Sequence, residues 1–255
     1  MKEATATSRK GSLAERLPAQ VRGFFRNWQV LTALALVVFL AAMLSAKWGT
    51  PQPQHQITLH QAADTSNLIE VKWLLDHGAD VNARDLSETP LIVAAGRGNE
   101  EIAQYLVSHG ADVNAGRENG RSALVQAICN HHPELAKWLI SKGADVNVRD
   151  SYGDTVLHYA AHYGNSEVTQ LLIAHGASLD ARGDCGRTPL YTTLAYRGHS
   201  LRDISVAETL LTNGADPNIG APNDGAFGDA RTPMQLAAFL KFPQLEELLK
   251  KYGAK

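Results

Sequence analysis

The chain has 255 residues, of which 44% are hydrophobic and 20% are charged, and its formal net charge at pH 7 is −2. This balance is ordinary for a globular protein and gives no sign of the basic surface that nucleic-acid binding requires. The two cysteines, Cys129 and Cys185, are too few for a disulfide framework in a chain of this length.

The first predicted element is a transmembrane helix over residues 28–48. Residues 28–46 contain no charged side chain, and about 19 helical residues span about 28 Å, close to the hydrocarbon thickness of a bilayer. Trp28 and Trp48 stand at the two ends, where aromatic rings favour the headgroup region. We therefore expect this segment to act as a signal anchor.

The basic residues around this segment predict its orientation. Only Lys47 follows the apolar run closely, whereas several basic residues precede it: Arg9, Lys10, Arg16, Arg22 and Arg26. The positive-inside rule then leaves residues 1–27 in the cytoplasm and sends the rest of the chain across the membrane. Cleavage after Leu44-Ser45-Ala46 is the alternative, but the apolar run exceeds the roughly 7–15 residues usual in a signal peptide.

After a linker over residues 49–56, whose prolines disfavour helix, two motifs recur in phase. The sequence Gly-Ala-Asp-Val-Asn begins at Gly78, Gly110 and Gly143, with variants at Gly176 and Gly214. A Thr-Pro-Leu-like motif alternates with it and begins at Thr89, Ser122, Thr155, Thr188 and Thr232. Self-similarity at a period near 33 residues indicates a repeat architecture.

These motifs resemble the ankyrin repeat, whose signature is T-P-L-H-x-A at a period of about 33 residues. The resemblance covers residues 57–255, with six repeats that begin near residues 57, 85, 118, 151, 184 and 229. It implies an all-α repeat solenoid in which each unit is a helix-turn-helix with a β-turn finger. One unit cannot bury its own apolar face, so stacking must complete the core.

The repeated positions have local physical reasons. A Thr or Ser at the start of the first helix can cap free N–H groups, and Pro is tolerated in the next position. Gly98, Gly164 and Gly198 are predicted to end first helices in the left-handed conformation. Ser66 and His131 occupy that position in repeats one and three. Leu139 is predicted to lie on the buried face of a second helix.

Two insertions that lengthen the repeats and one pair of histidines each have two possible interpretations. Insertions near residues 197–204 and 220–228 are either tolerated surface loops or contacts specific to a partner. His158 and His162 have the spacing of metal ligands on a helix, but no third ligand accompanies them. No catalytic motif is present, so we expect no enzyme, cofactor or bound metal, and a metal-dependent enzyme using these histidines is a distant alternative.

The ankyrin resemblance implies a protein that binds another protein through the concave face made by finger tips and first helices. The finger candidates are Asp85, Leu86, Asn119, Arg121, Ser151, Tyr152, Asp154, Cys185 and Arg187. The helix candidates are Tyr159, His162, Tyr163, Tyr191 and Tyr196. Aromatic residues of this kind are frequent interface hot spots. No small-molecule substrate is expected.

The combination of anchor and repeats suggests a bacterial inner-membrane protein whose repeats face the periplasm. The leading hypothesis is a scaffold or adaptor that supports a periplasmic enzyme. The alternative is an immunity protein that binds and neutralises a secreted antibacterial toxin. The sequence leaves the partner's identity and the oligomeric state open.

Overall fold

The structure, a computed structural model, describes residues 57–117, 119–195, 204–222 and 231–255. Residues Ile57–Lys255 belong to one compact unit. The predicted cytoplasmic segment, transmembrane helix and linker, residues 1–56, lie outside the described residues, as does most of the two predicted insertions. In the described ranges, every helix is too short or too polar to span a bilayer.

Twelve α-helices lie in the described ranges, and they form six consecutive pairs. In chain order they are α1 (Leu59–Asp64), α2 (Leu68–Asp76), α3 (Pro90–Arg97), α4 (Glu100–Ser108), α5 (Ala123–Cys129), α6 (Pro133–Ser141), α7 (Val156–Tyr163), α8 (Ser166–Ala174), α9 (Pro189–Ala195), α10 (Ser205–Thr212), α11 (Pro233–Phe239) and α12 (Pro243–Lys251). Among these residues there is no extended strand, which confirms the predicted helical repeat solenoid.

The predicted caps are present at the first helix of each repeat. Thr89 accepts a hydrogen bond from the backbone N–H of Ile92, and Pro90 occupies the first turn. Thr58 and Thr232 form capping boxes, in which a Gln three residues later returns a bond to the cap backbone. These bonds satisfy amide donors that a helix start leaves unpaired, so they fix where each repeat begins.

The turn within five of the six repeats uses a left-handed residue, and Gly198, predicted to do so in repeat five, lies outside the described residues. Gly98 and Gly164 end α3 and α7 with φ of 70° and 73°. Ser66, His131 and Lys241 hold the same position with φ of 58°, 60° and 54°. The turn geometry is therefore kept even where a side chain makes the left-handed conformation unfavourable.

Neighbouring repeats are joined by hydrogen bonds from an asparagine that recurs at the same position. We call this series of bonds the asparagine ladder. The Asn114 amide donates to the carbonyl of Gly143 at 3.1 Å and accepts from the Asp145 N–H at 2.8 Å. Asn82 and Asn147 make the same pair of bonds to their own next repeats. Asp180 stands at this position in the fourth copy and only accepts, from the Asp216 N–H at 3.0 Å, because a carboxylate has no N–H to donate.

The core runs from repeat to repeat without interruption. First helices pack in the series α1, α3, α5, α7, α9 and α11, and second helices pack α2 on α4, α6 on α8 and α8 on α10. The small residues Ala94, Ala127 and Ala160 are fully buried, which lets these helices approach closely. Leu139 in α6 is fully buried as well, as predicted for the apolar face of a second helix.

We expect Leu139→Ala to lower the free energy of unfolding by about 2–5 kcal/mol, because it removes buried methyl groups and leaves a cavity between repeats. Chemical denaturation of the full-length chain measures this loss. The matched control is Leu86→Ala, the same chemical change at a side chain that is 92% exposed, with an expected change within about 0.5 kcal/mol. Equal losses at the two positions would contradict the core assignment.

Candidate functional site

A cavity of about 230 Å³ opens among the fingers and first helices of repeats three, four and five. Polar, charged and aromatic side chains share its lining. The lining residues are Arg121, Tyr152, Asp154, His158, Tyr159, His162, Asp184, Arg187 and Thr192. We refer to this cavity as the central pocket. Its walls belong to three consecutive repeats, so the stacking of those repeats builds it.

One wall of the central pocket is a hydrogen-bonded chain. The Arg121 Nε donates to the Tyr159 hydroxyl at 2.9 Å, and that hydroxyl donates to Asp150 Oδ2 at 2.5 Å. Asp150 Oδ1 accepts from the backbone N–H groups of Tyr152 and Asp154 at 2.8 and 2.9 Å. Burial, with the bond and the charge of Asp150, raises the pKa of Tyr159, so its hydroxyl remains a neutral donor. This series of hydrogen bonds therefore joins the finger of repeat four (finger four, closed by the bridge between Arg149 and Thr155) to α7 and to repeat three.

The floor of the central pocket depends on His158, which is only 2% exposed. Its Nδ1 accepts from the backbone N–H of Thr155 at 3.0 Å, which completes a capping box at the start of α7. Its Nε2 therefore carries the proton and donates to the carbonyl of Arg187 in the next repeat at 3.1 Å. Burial lowers the pKa of His158, so the neutral imidazole fits this pair of bonds.

These bonds leave His158 without a lone pair for a metal, which argues against the metal-dependent alternative that used His158 and His162. Within the described part of the chain, no group of three or more His, Cys, Asp or Glu side chains is arranged to hold a metal ion. The two cysteines are both free thiols.

Asp154 lies where finger four comes close to the finger of repeat five (finger five, closed by the hydrogen bond from the Gly183 N–H to the Arg187 carbonyl). The Oδ1 of Asp154 accepts from the backbone N–H of Asp184 at 2.9 Å. A Cβ atom on Gly183 would stand 2.0 Å from Asp154 Oδ1 and 2.9 Å from His158 Nε2, so no larger residue fits there without movement. Burial raises the pKa of Asp154. The close approach of the two fingers thus holds a carboxylate in a poorly hydrated place.

Arg187 and Asp184 form the repeat-five side of the central pocket. Arg187 is 8% exposed, and its Nη1 lies 4.0 Å from Asp184 Oδ2. The Asp184 side chain is 41% exposed. This second carboxylate therefore has a guanidinium group beside it.

The structure brings one part of the predicted contact set together at this pocket. That part comprises Arg121, Tyr152, Asp154, Tyr159, His162 and Arg187. It also adds His158, Asp184 and Thr192, which the prediction omitted. Asp184 opens repeat five at the position that Asp85 and Ser151 hold in theirs, so the repeat alignment could have found it. The sequence singles out His158 for its metal-ligand spacing with His162, and nothing local in the sequence indicates that it borders a cavity.

Other predicted contacts lie elsewhere. Asp85 and Leu86 border a separate cavity of about 270 Å³ at the fingers of repeats one and two. Ser151 and Cys185 are exposed at finger tips, and Asn119 is half-buried, with its carbonyl accepting from the Ser151 N–H at 2.9 Å. Tyr163 is half-buried with the His131 ring against its edge. Tyr196 lies outside the described residues.

The prediction for Tyr191 needs correction. Its side chain is 1% exposed and lies in the hydrophobic core, so it offers no surface to a partner. The position follows Thr188-Pro189-Leu190, where the first helix turns toward its neighbours. Tyrosine is common at interfaces, but here its ring fills space between repeats, and we leave it out of the contact surface.

We predict that His158 makes stability depend on pH. The unfolded chain binds a proton near the ordinary histidine pKa of 6.5, whereas the folded chain resists it, so stability is full above 6.5 and falls as pH drops below it. One such group contributes at most about 1.4 kcal/mol between pH 7.5 and 5.5, the limit for a histidine that stays neutral in the fold throughout this range. Gln stands at the equivalent position in the capping boxes of repeats one and six, so His158→Gln keeps the cap and removes the titration.

Denaturation of both proteins at the two pH values measures the difference. The His158→Gln variant should lose less stability on acidification than the parent chain. Identical losses would show that His158 is not held neutral in the fold.

The comparisons with known proteins support the repeat assignment. A family model described as ankyrin repeats (3 copies) matches twice, over residues 59–150 and 124–221, and these matches together span more than half of the chain. Among curated proteins, none matches significantly. The helix pairs, the capped first helices and this match agree, and the chain belongs to the ankyrin-repeat family.

Proposed function

We propose that this chain is a membrane-tethered module that binds a partner protein through the finger face, meaning the finger tips and first helices of repeats two to five. Ankyrin repeats generally mediate protein–protein interaction. The observation that carries the proposal is the central pocket with an exposed aromatic residue at its edge. Tyr152 is 65% exposed, yet its backbone is fixed by Asp150.

A second feature of the finger face supports the same proposal. Leu86 is 92% exposed at the tip of the repeat-two finger, with φ of 46°. A leucine in the left-handed conformation and in water costs free energy, and such strain is concentrated at functional positions. A bound partner would cover this side chain and the ring of Tyr152 and so remove apolar surface from water.

The proposed contact can be tested by site-specific crosslinking in the cells that make the protein. A photoreactive phenylalanine analogue replaces Tyr152 in the full-length chain. The matched control carries it at Trp73, an aromatic residue on α2 that is 47% exposed but lies on a second helix. We expect a discrete crosslinked protein from position 152 and none from position 73. A crosslink from 73 alone would place the partner on the opposite helices and overturn the proposal.

The affinity for the captured partner can then be measured with altered finger faces. Leu86→Ala combined with Tyr152→Ala should weaken binding roughly tenfold or more, because exposed apolar anchors contribute most of the energy at interfaces. The identity of the partner separates the two hypotheses about role. A periplasmic enzyme supports a scaffold or adaptor, whereas a secreted toxic hydrolase supports an immunity protein.

We further propose that residues 28–48 anchor the chain in a bacterial inner membrane, with residues 1–27 in the cytoplasm and the repeats in the periplasm. Support comes from the uncharged apolar run and from the basic residues on its N-terminal side. Protease added outside spheroplasts should remove the repeats and leave a short membrane-bound fragment. Full protection, with digestion only after lysis, would reverse the orientation.

A further inference from the structure

The lining of the central pocket carries two carboxylates and two guanidinium groups among its described residues. Asp154 and Asp184 line it, and Asp150 lies directly behind Tyr159. Arg121 and Arg187 supply the two positive charges of the lining. Because His158 is held neutral by its two hydrogen bonds, it adds no third positive charge.

The two guanidinium groups already have acceptors or anions beside them. Arg121 donates to the Tyr159 hydroxyl, and through it reaches Asp150. Arg187 lies beside the Asp184 carboxylate. An acidic ligand would have to displace these arrangements and approach two carboxylates, which costs electrostatic energy in a partly desolvated site.

The Asp154 carboxylate accepts one hydrogen bond, whereas that of Asp150 behind Tyr159 accepts three. The bond to Asp154 Oδ1 comes from the Asp184 N–H, which is a neutral donor. Across the ranges that the structure describes, no lysine or arginine forms a salt bridge with Asp154. The pKa of Asp154, raised by burial, agrees with a carboxylate that has lost water and gained no compensating cation. A positive group from outside would supply that compensation.

The aromatic walls and the size of the central pocket define the ligand further. The exposed ring of Tyr152 stands at the edge, and ring faces attract ammonium and guanidinium groups. The volume of about 230 Å³ is below the roughly 300–1,000 Å³ of pockets for drug-sized ligands. A single amino-acid side chain fits this scale.

We propose that the central pocket binds one basic side chain, an arginine or a lysine, of the partner protein. Asp154 pairs with the cationic head, and Tyr152 packs against its aliphatic stem. This inference rests on the proposed function, since it names the chemistry of the partner at one site. It makes Asp154 and Tyr152 the residues that select for positive charge on the finger face.

The direct test uses N-acetyl-arginine amide and N-acetyl-lysine amide as probes of the full-length chain in non-ionic detergent. N-acetyl-glutamate amide and N-acetyl-leucine amide are the charge controls. Backbone amide signals of Gly183 and Asp184, observed by NMR, report occupancy because the Asp184 N–H is bonded to Asp154. We expect saturable shifts with the basic probes at a Kd on the order of 1–10 mM, the range for one small ligand.

Three variants test which side chains bind the basic probes. Asp154→Asn keeps an acceptor for the Asp184 N–H but removes the charge, and should weaken the basic probes about tenfold. Glu101→Gln removes an equal charge from an exposed position on α4 and should change nothing. Tyr152→Leu, at an exposed residue, should weaken binding severalfold and gives a second test if Asp154→Asn fails to fold.

Three outcomes would overturn the inference: no saturable shift with either basic probe, a preference for the glutamate probe, or unchanged binding in Asp154→Asn. Crosslinking from position 152 distinguishes this failure from failure of the proposed function. A crosslinked partner that persists at full yield in Asp154→Asn would remove the basic-side-chain site and leave the binding face intact. Saturable probe binding without any crosslinked partner would keep the basic-side-chain site and contradict the proposed protein-binding function.

Discussion

The structure depends on one constraint: a pair of short helices cannot cover its own apolar side. Each repeat presents Leu and Ala side chains that become buried only when the next pair is laid against them, as Leu139 and Ala160 are. The asparagine ladder then sets the register, because Asn114 bonds to both a carbonyl and an N–H of the following repeat. Each repeat is therefore stabilised by contacts with its neighbours, and the register of those contacts sets the spacing of the fingers.

The same stacking builds the central pocket. His158 caps the helix of its own repeat and bonds to the carbonyl of Arg187 in the next one, so one side chain performs a local and an inter-repeat role. Gly183 lets finger five approach Asp154 more closely than any side chain would permit. A carboxylate becomes poorly hydrated there as a result of packing that also holds the repeats together. The site is thus preorganised by the fold, and a ligand need not order it.

The repeat boundaries and turns could be predicted because they depend on local chemistry. A cap residue, a proline in the first turn and a left-handed residue each leave a mark in sequence, and even His131 follows the rule with φ of 60°. Whether a side chain is buried between repeats or lines the pocket was less predictable from the sequence. Tyr191 is buried although its type suggested a contact, and His158 borders the pocket although no local signal indicated it. Both depend on how two repeats meet, which periodicity alone does not specify.

Asp154 connects stability with recognition. A partly buried carboxylate without a salt bridge lowers the stability of the free chain, because its ionised form has lost hydration that a single N–H bond replaces only in part. A cationic group that binds there regains that free energy, and so it binds more tightly than it would to an exposed aspartate. A hydrophobic residue at this position would leave the Asp184 N–H without its acceptor and would offer a cation no charge to pair with. The same carboxylate therefore joins two fingers in the free chain and, on the proposed function, supplies the charge that a basic partner group would pair with.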